Sequence, residues 1–310
     1  MTNAGSRKKT KSAFAATPKN IVTILLIIDA LIAAIFSKTT TIPVGGLFNH
    51  SAPSGILTQS LINMAVAVVT ALVIDFLVGL FYERKRAYSD GGLITGLIVA
   101  MALSTSTTWY VVAATTGLAI ASKHILKRKR KPIFNPAAFG LLLSTFIFQS
   151  GQSWWAGMTL LPNAYMIVLA ICIVIIAQRV RKFPQVIAFL GSYAALSGIF
   201  MLFAKTHMDA ALALQNPMLN SALFLAAFMI TDPPTSPAKR MDQIVFGLLT
   251  GIISFLTFII DPGELIYLFV GLLIANVIFF IKSQVYDKKD RKAKRDSAWT
   301  GERNVSGARS

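Results

Sequence analysis

The residues best placed to do chemistry in this chain stand where two apolar runs are broken by polar, glycine-rich or proline-rich segments. One run, Gly91–Ser104, opens on Ser89-Asp90-Gly91-Gly92 and carries Thr95. The other, Met218–Ile230, closes on Thr231-Asp232-Pro233-Pro234-Thr235. Both are short for a helix that crosses a bilayer, which needs about 20 apolar residues. Irregular backbone at membrane depth is tolerated only where it is buried in protein or lines a cavity. Short, interrupted segments at matching places in two halves therefore point to a binding site inside a helix bundle. Capping explains part of the pattern, because Ser89 or Asp90 suits an N-cap and prolines stop a helix. It does not explain why both runs are short. A third element, Phe134-Asn135-Pro136-Ala137-Ala138, sets an N-cap before proline at the first helical position, and the free N–H groups of such a start attract anionic groups.

Two acids, Asp29 and Asp75, lie inside apolar runs. An ionised carboxylate at membrane depth costs at least about 2.5–3.5 kcal/mol on insertion scales, so it faces the bundle interior or water. Both are candidates for an ion path; the structural alternative is a hydrogen bond to a neighbouring helix, through Asn63 or Asn276. Hydrolytic chemistry has no support, since no Ser/His/Asp constellation, HExxH or phosphate loop is present. Cys172 is the one cysteine and the histidines are His50, His124 and His207. Their placement offers no metal set, no iron–sulfur ligands and no facing pair for haem.

The elements that must position these residues are membrane helices. Hydrophobic residues make up 55% of the 310 and charged residues 14%, with mean hydropathy +0.63; a soluble domain carries about 25% charged residues. Full-length spans are predicted at Asn20–Ser37, Ile56–Tyr82, Thr108–Leu126, Leu161–Gln178, Phe183–Ala204, Met241–Ile260 and Glu264–Ser283. Shorter ones are predicted at Gly91–Ser104, Pro136–Gln149 and Met218–Ile230. With both termini in the cytoplasm of a multi-pass cell-membrane protein, all but Lys38 and Lys205 of the 30 Lys+Arg fall on the inner side, as the positive-inside rule requires. The net charge of +17 thus reads as topology and not as nucleic-acid binding. Trp109, Tyr110, Trp154 and Trp155 are expected at the outer interface. Reporter fusions at Lys129, Arg181 and Asp290 should report cytoplasm, and fusions at His50, Ser153 and Met208 the outside; one inversion among them breaks this topology.

The predicted fold is an all-α membrane protein of about ten transmembrane helices, arranged as two inverted five-helix repeats with short, interrupted helices 3 and 8. Residues 1–19 form a basic cytoplasmic segment. The membrane domain is 20–286, with repeats at about 20–150 and 160–286. Residues 287–310 form a basic tail whose composition predicts disorder and attraction to anionic lipids.

Taken in order, Ser89-Asp90-Gly91 with Thr95-Gly96-Leu97, then Phe134-Asn135-Pro136-Ala137, then Thr231-Asp232-Pro233 with Thr235, resemble one family over about Asn20–Lys282. They are similar to the membrane subunits NqrB and RnfD of the sodium-pumping NADH:quinone reductase and the Rnf electron-transport complex, and closer to RnfD-like proteins. The resemblance implies inverted repeats with an architecture similar to urea transporters. It also implies electron transfer coupled to Na+ or H+ movement, flavoprotein partner subunits, and flavin cofactors: a riboflavin held without a covalent bond, and an FMN attached to threonine through its phosphate.

On that resemblance the flavin-binding residues are Ser89, Asp90, Gly91, Gly92, Thr95, Asn135, Pro136, Thr231, Asp232, Pro233 and Thr235. The attachment motif Asp-x-x-Ser-Gly-Ala-Thr is degenerate here. Gly157 and Thr159 match it, while Ser153, Ala156 and Met158 replace its other residues, so non-covalent flavin is favoured over covalent FMN at Thr159. The reading from a different class is a solute channel or transporter on the same fold without redox chemistry, because a fold does not dictate a function.

Overall fold

A backbone surrounded by hydrocarbon must satisfy its own hydrogen bonds, and the apolar runs of this chain do so as helices. A computed structural model describes residues 17–36, 56–83, 90–128, 131–153, 155, 166–203, 216–260 and 266–307. In the first half the helices are α1 (Pro18–Phe36), α2 (Ile56–Val78), α3 (Asp90–Ala102), α4 (Trp109–Ile125) and α5 (Pro136–Phe148). In the second they are α6 (Met166–Val180), α7 (Phe183–Phe203), α8 (Asn216–Phe224), α9 (Arg240–Ile260) and α10 (Tyr267–Gly307). Two π-helical turns extend this set, Gly79–Glu83 after α2 and Leu225–Met229 after α8. Five helices, α1, α2, α7, α9 and α10, are long and apolar enough to cross a membrane, and α3, α5, α6 and the α8 region are shorter apolar helices. The chain is a multi-pass all-α membrane protein.

Local chemistry sets the helix ends. Thr17 caps α1 by accepting from the Asn20 N–H at 3.3 Å, with Pro18 at the first position, where its missing N–H costs nothing. Between α6 and α7, Arg181 adopts φ 57°, and the Lys182 N–H reaches back to the Ala177 carbonyl at 2.9 Å. That bond closes a Schellman turn and leaves a very short connection. The α4–α5 connection carries a small antiparallel ladder, Lys127–Arg128 (β1) against Lys131–Pro132 (β2).

The same packing partners recur in each half. First packs on third (α1 on α3, α6 on α8), second on fourth (α2 on α4, α7 on α9) and fourth on fifth (α4 on α5, α9 on α10). The halves meet where α1 packs on α6 and α5 on α10. Large apolar side chains left exposed along α1, α2 and α7, such as Ile24, Ile28, Val69, Phe76 and Ile187, form the surface a lipid bilayer would cover.

Two expectations change. Trp155 does not present its ring to lipid or water: it is buried, and its indole N–H donates to the Ala100 carbonyl at 2.8 Å. That carbonyl belongs to the last turn of α3, where helices leave acceptors without internal partners, and a buried indole needs such an acceptor. The chain beyond Asp287, for which composition predicts disorder, continues α10 as helical backbone to Gly307. Its Lys, Arg and Ala residues are strong helix formers, and the sequence spaces Asp287 with Arg291 and Asp290 with Lys294 at i,i+4, a helix-favouring arrangement.

Candidate functional site at the basic end of the bundle

Asp75 stands near the end of α2, buried, and its carboxylate accepts from Lys123 Nζ at 2.8 and 3.0 Å. His124 Nε2 lies 2.7 Å from Asp75 Oδ1. Both partners come from the last turn of α4. The start of α3 rests on the same carboxylate: a Cβ at Gly92 would come 2.5 Å from Asp75 Oδ2. Only glycine allows this approach between helix and acid. The buried Thr95 hydroxyl turns onto its own helix, donating to the Gly91 carbonyl at 2.8 Å. The interrupted start of α3 and the intramembrane acid Asp75 are thus one assembly.

The exit of α8 is the second part of the site. After the π turn, Thr231 Oγ1 donates to the Ala227 carbonyl at 2.6 Å, and the chain then leaves the helix. Prolines at 233, 234 and 237 prevent a helical ladder there, so the carbonyls of this segment need other donors. Side chains from four helices or their caps supply them. Asn135 Nδ2 donates to the Met229 carbonyl (3.1 Å), Gln185 Nε2 to Ile230 (2.6 Å) and Asn276 Nδ2 to Thr235 (3.1 Å). Gln243 Nε2 donates to Ala238 (3.0 Å) and Lys182 Nζ to Pro237. Asn135 also caps α5, accepting from Ala138 N–H at 3.1 Å, while its own N–H donates to Asn276 Oδ1 at 3.0 Å. Within the segment, Thr235 Oγ1 donates to Asp232 Oδ2 at 2.9 Å. An open backbone is held rigid from α5, α7, α9 and α10.

Electrostatics joins the two parts, because Asp232 lies in the field of Lys19, Lys123 and Lys182, and Lys123 is also the partner of Asp75. Burial pushes the Asp232 carboxyl up to about 6, with the Thr235 hydroxyl and the lysines drawing it partly back. Burial pushes Lys182 down to about 8, Asp232 opposing the shift and Lys131 adding to it. Asp232 and Lys182 are both charged between those two values. The folded chain holds the Asp232 proton more tightly than an unfolded chain with an ordinary value of 3.8. Stability from this group therefore falls as pH rises from about 4 to about 6 and is flat above. The change is about 3 kcal/mol at most. Thermal unfolding in detergent between pH 4 and 7 should show this decline in the parent chain and not in Asp232→Asn; an identical slope in both removes the assignment.

Of the residues singled out from sequence, Asn135, Pro136, Thr231, Asp232, Pro233 and Thr235 come together at the α8 exit. Gly91, Gly92 and Thr95 lie on α3, which Asp90 opens and which packs on α5. Ser89 and Thr159 lie outside the described residues. Neither asparagine suggested for the acids meets them: Asn63 donates to the Thr107 carbonyl at 2.9 Å, and Asn276 serves the α8 exit. Asp29 is fully buried, with neither carboxylate oxygen bonded to a donor among the described residues. Residues that motif reading missed are Lys123, His124, Lys182, Gln185 and Gln243. The available signal was position, since Gln185 and Gln243 are polar residues at the mouths of apolar runs.

The opposite end of α3 is also engaged. Ser104 N–H donates to the Gly151 carbonyl (3.0 Å), and Ser153 N–H and Oγ donate to Ala102 (3.1 Å) and Leu103 (3.2 Å). With Trp155 on Ala100, the segment after α5 is strapped over the end of α3. One helix thus links the basic end, about 20 Å away along its axis, to the segment Gly151–Ser153 and Trp155. Matches to known proteins bear on the same arrangement: the model of the NQR2, RnfD, RnfE family matches residues 10–165 and 158–281. The chain belongs to the NQR2, RnfD, RnfE family. Within it, the chain is 23% identical over 287 residues to the NqrB protein of the Na(+)-translocating NADH-quinone reductase of Chromohalobacter salexigens, covering 74% of this chain and 68% of that relative.

Proposed function

We propose that this chain is the flavin-carrying, electron-transfer membrane subunit of an Rnf- or Nqr-type redox complex, of the RnfD-like kind, with both termini in the cytoplasm. The observation that carries the reading is the α8 exit, whose open backbone Asn135, Gln185 and Asn276 hold in place. Rigid support of this kind suits a site that must hold a cofactor without reorganising. The residues fit a flavin. Gln185 Oε1 and Gln243 Oε1 are buried acceptors without a donor among the described residues, and the isoalloxazine edge offers an N–H between two carbonyls. Asn135, Thr231, Asp232 and Thr235 would hold that edge, with Gly91, Gly92 and Thr95 offered from α3, which packs on α5. Bound flavin supplies the electron chemistry, and the protein supplies orientation and field. The Asp232–Lys182 charges set that field beside the cofactor.

Family membership supports partner subunits of an electron-transport complex and coupling to Na+ or H+ movement. The resemblance of the 153–159 sequence to the attachment motif favours a second flavin position at Thr159. Protein purified in detergent should carry flavin absorbance. Asp232→Ala and Asn135→Ala should lower flavin content at least severalfold while membrane insertion is kept. Mass spectrometry of the Thr159 peptide, from cells that express a flavin transferase, reads the covalent link directly. A colourless, folded parent chain would overturn the proposal and leave the solute-channel reading in its place.

A further inference from the structure

Asp29 lies near the middle of α1, with relative exposure 0% and neither oxygen bonded to a donor among the described residues. The helices packed against α1 are α2, α3 and α6. From α2, the intramembrane acid Asp75 is committed to Lys123 and His124 at the basic end. From α3, the buried run Leu97–Leu103 is wholly apolar. From α6, the buried residues are Leu169, Ile173, Ile176 and Ala177 with Cys172, whose thiol lies within electrostatic reach of Asp29. Among the described residues no cationic side chain bonds the acid, so an ionised carboxylate here would be an uncompensated buried charge.

The seam where α1 meets α6 is where the two halves of the chain join, and Asp29 and Cys172 are central residues of the first helix of each half. The geometry points to Asp29 as a proton-binding site within the membrane, held as the neutral acid and exchanging its proton as the chain works. The exchange rests on the electron-transfer reading proposed above; the site itself does not.

Two features favour a proton over a sodium ion. Sodium sites in membrane proteins recruit backbone carbonyls from unwound helices, whereas α1 and α6 run unbroken past Asp29 and Cys172. A hard cation also needs several oxygen ligands, and the buried side chains of α6 bring no oxygen. Among the described residues no cluster of three or more His, Cys, Asp or Glu exists that would hold a metal ion. The step moves a proton alone: the O–H bond at Asp29 breaks as its proton passes to water and re-forms as water returns one, with no change of oxidation state at the acid.

Infrared spectroscopy of the whole chain in lipid nanodiscs tests this. A carbonyl band of a protonated carboxylic acid, shifting in D2O, is expected in the parent chain and lost in Asp29→Asn. If that variant does not fold, 13C-aspartate labelling of Asp232→Asn, in which that raised carboxyl is gone, shifts the same band and assigns it to the fully buried aspartate that remains. Raising Na+ at constant pH should leave the band in place, and reducing the bound flavin should change its intensity. Absence of any aspartic-acid band overturns the site, as does bleaching by Na+, which would make it a sodium site. A band unchanged on reduction of flavin-loaded protein overturns the exchange and makes Asp29 a static acid. Protein without flavin would fail the electron-transfer reading while the oxidised-state band and its Na+ response still judge the site.

Discussion

Gly247→Leu is expected to remove most of the folded protein, and Gly247→Ala to lower its melting temperature measurably. Helices α7 and α9 approach at backbone distance along this line. A Cβ at position 247 would collide with the Gln185 carbonyl oxygen, and would lie 2.9 Å from Ala188 Cβ and 3.0 Å from Phe189 N. None of these is the free end of a flexible side chain, so the helices themselves must separate. Small residues at helix interfaces in membranes exist to permit such approach, because packing there replaces the hydrophobic driving force. Overpacking usually costs about 1–3 kcal/mol, and a leucine set against backbone exceeds that range.

The damage also reaches the site, since Gln185 in the same turn of α7 holds the Ile230 carbonyl at 2.6 Å. Flavin retention should fall together with stability. Gly191 and Gly198 on α7 supply the control, for a Cβ there meets nothing within 4 Å. Alanine at either should be neutral or stabilise by up to about 1 kcal/mol through helix propensity. Thermal unfolding in detergent with size-exclusion of the product measures all four variants. Gly247→Ala melting with the parent chain would mean that α7 and α9 do not touch at this level.

What the sequence made legible was whatever depends on local chemistry. Apolar length located the helices, and Asn135-Pro136 announced the start of α5. The glycines at 91 and 92 and the prolines after Asp232 marked the ends of α3 and α8. Each of these signals lies within a few residues of the feature it predicts. The contacts that assemble the site are of another kind. Asp75 meets Lys123 across 48 residues, and Asn135 meets Asn276 across 141. No periodicity or spacing encodes a pairing between helices that distant in the chain.

The π turn at Leu225–Met229 was hidden for a similar reason, since its sequence LAAFM reads as ordinary apolar helix. What widens the turn is the demand at its end, where Thr231, Asn135 and Gln185 all take carbonyls from the 227–230 stretch. Trp155 was misplaced because an aromatic residue beside a polar loop has two satisfactory environments. The bond to Ala100 decides between them, and composition cannot see it.

Lys123→Met is expected to destabilise the chain by about 3–5 kcal/mol, the range for removing one partner of a buried ion pair, and to do more harm than Asp75→Asn. The asymmetry comes from exposure. The Asp75 side chain is 3% exposed, whereas those of Lys123 and His124 are 19% and 15% exposed. Losing the acid leaves cations that still reach water; losing the lysine leaves a buried carboxylate with the His124 imidazole against Gly92 at the start of α3. Replacing both members of a buried pair is often close to neutral, so the double variant Asp75→Asn, Lys123→Met should be more stable than Lys123→Met alone.

The expectation that Asp75 lies on an ion path predicts the reverse pattern, with coupling lost in Asp75→Asn while folded protein is unchanged. Unfolding midpoints of the two single variants and the double, together with ion-coupled activity of each, separate the two accounts. A rescue by the double variant fixes Asp75 as the clamp that seats the first turn of α3 on α2 and α4. Without that rescue the carboxylate is not carried as a buried charge, and the close approach of Gly92 to it would need another cause.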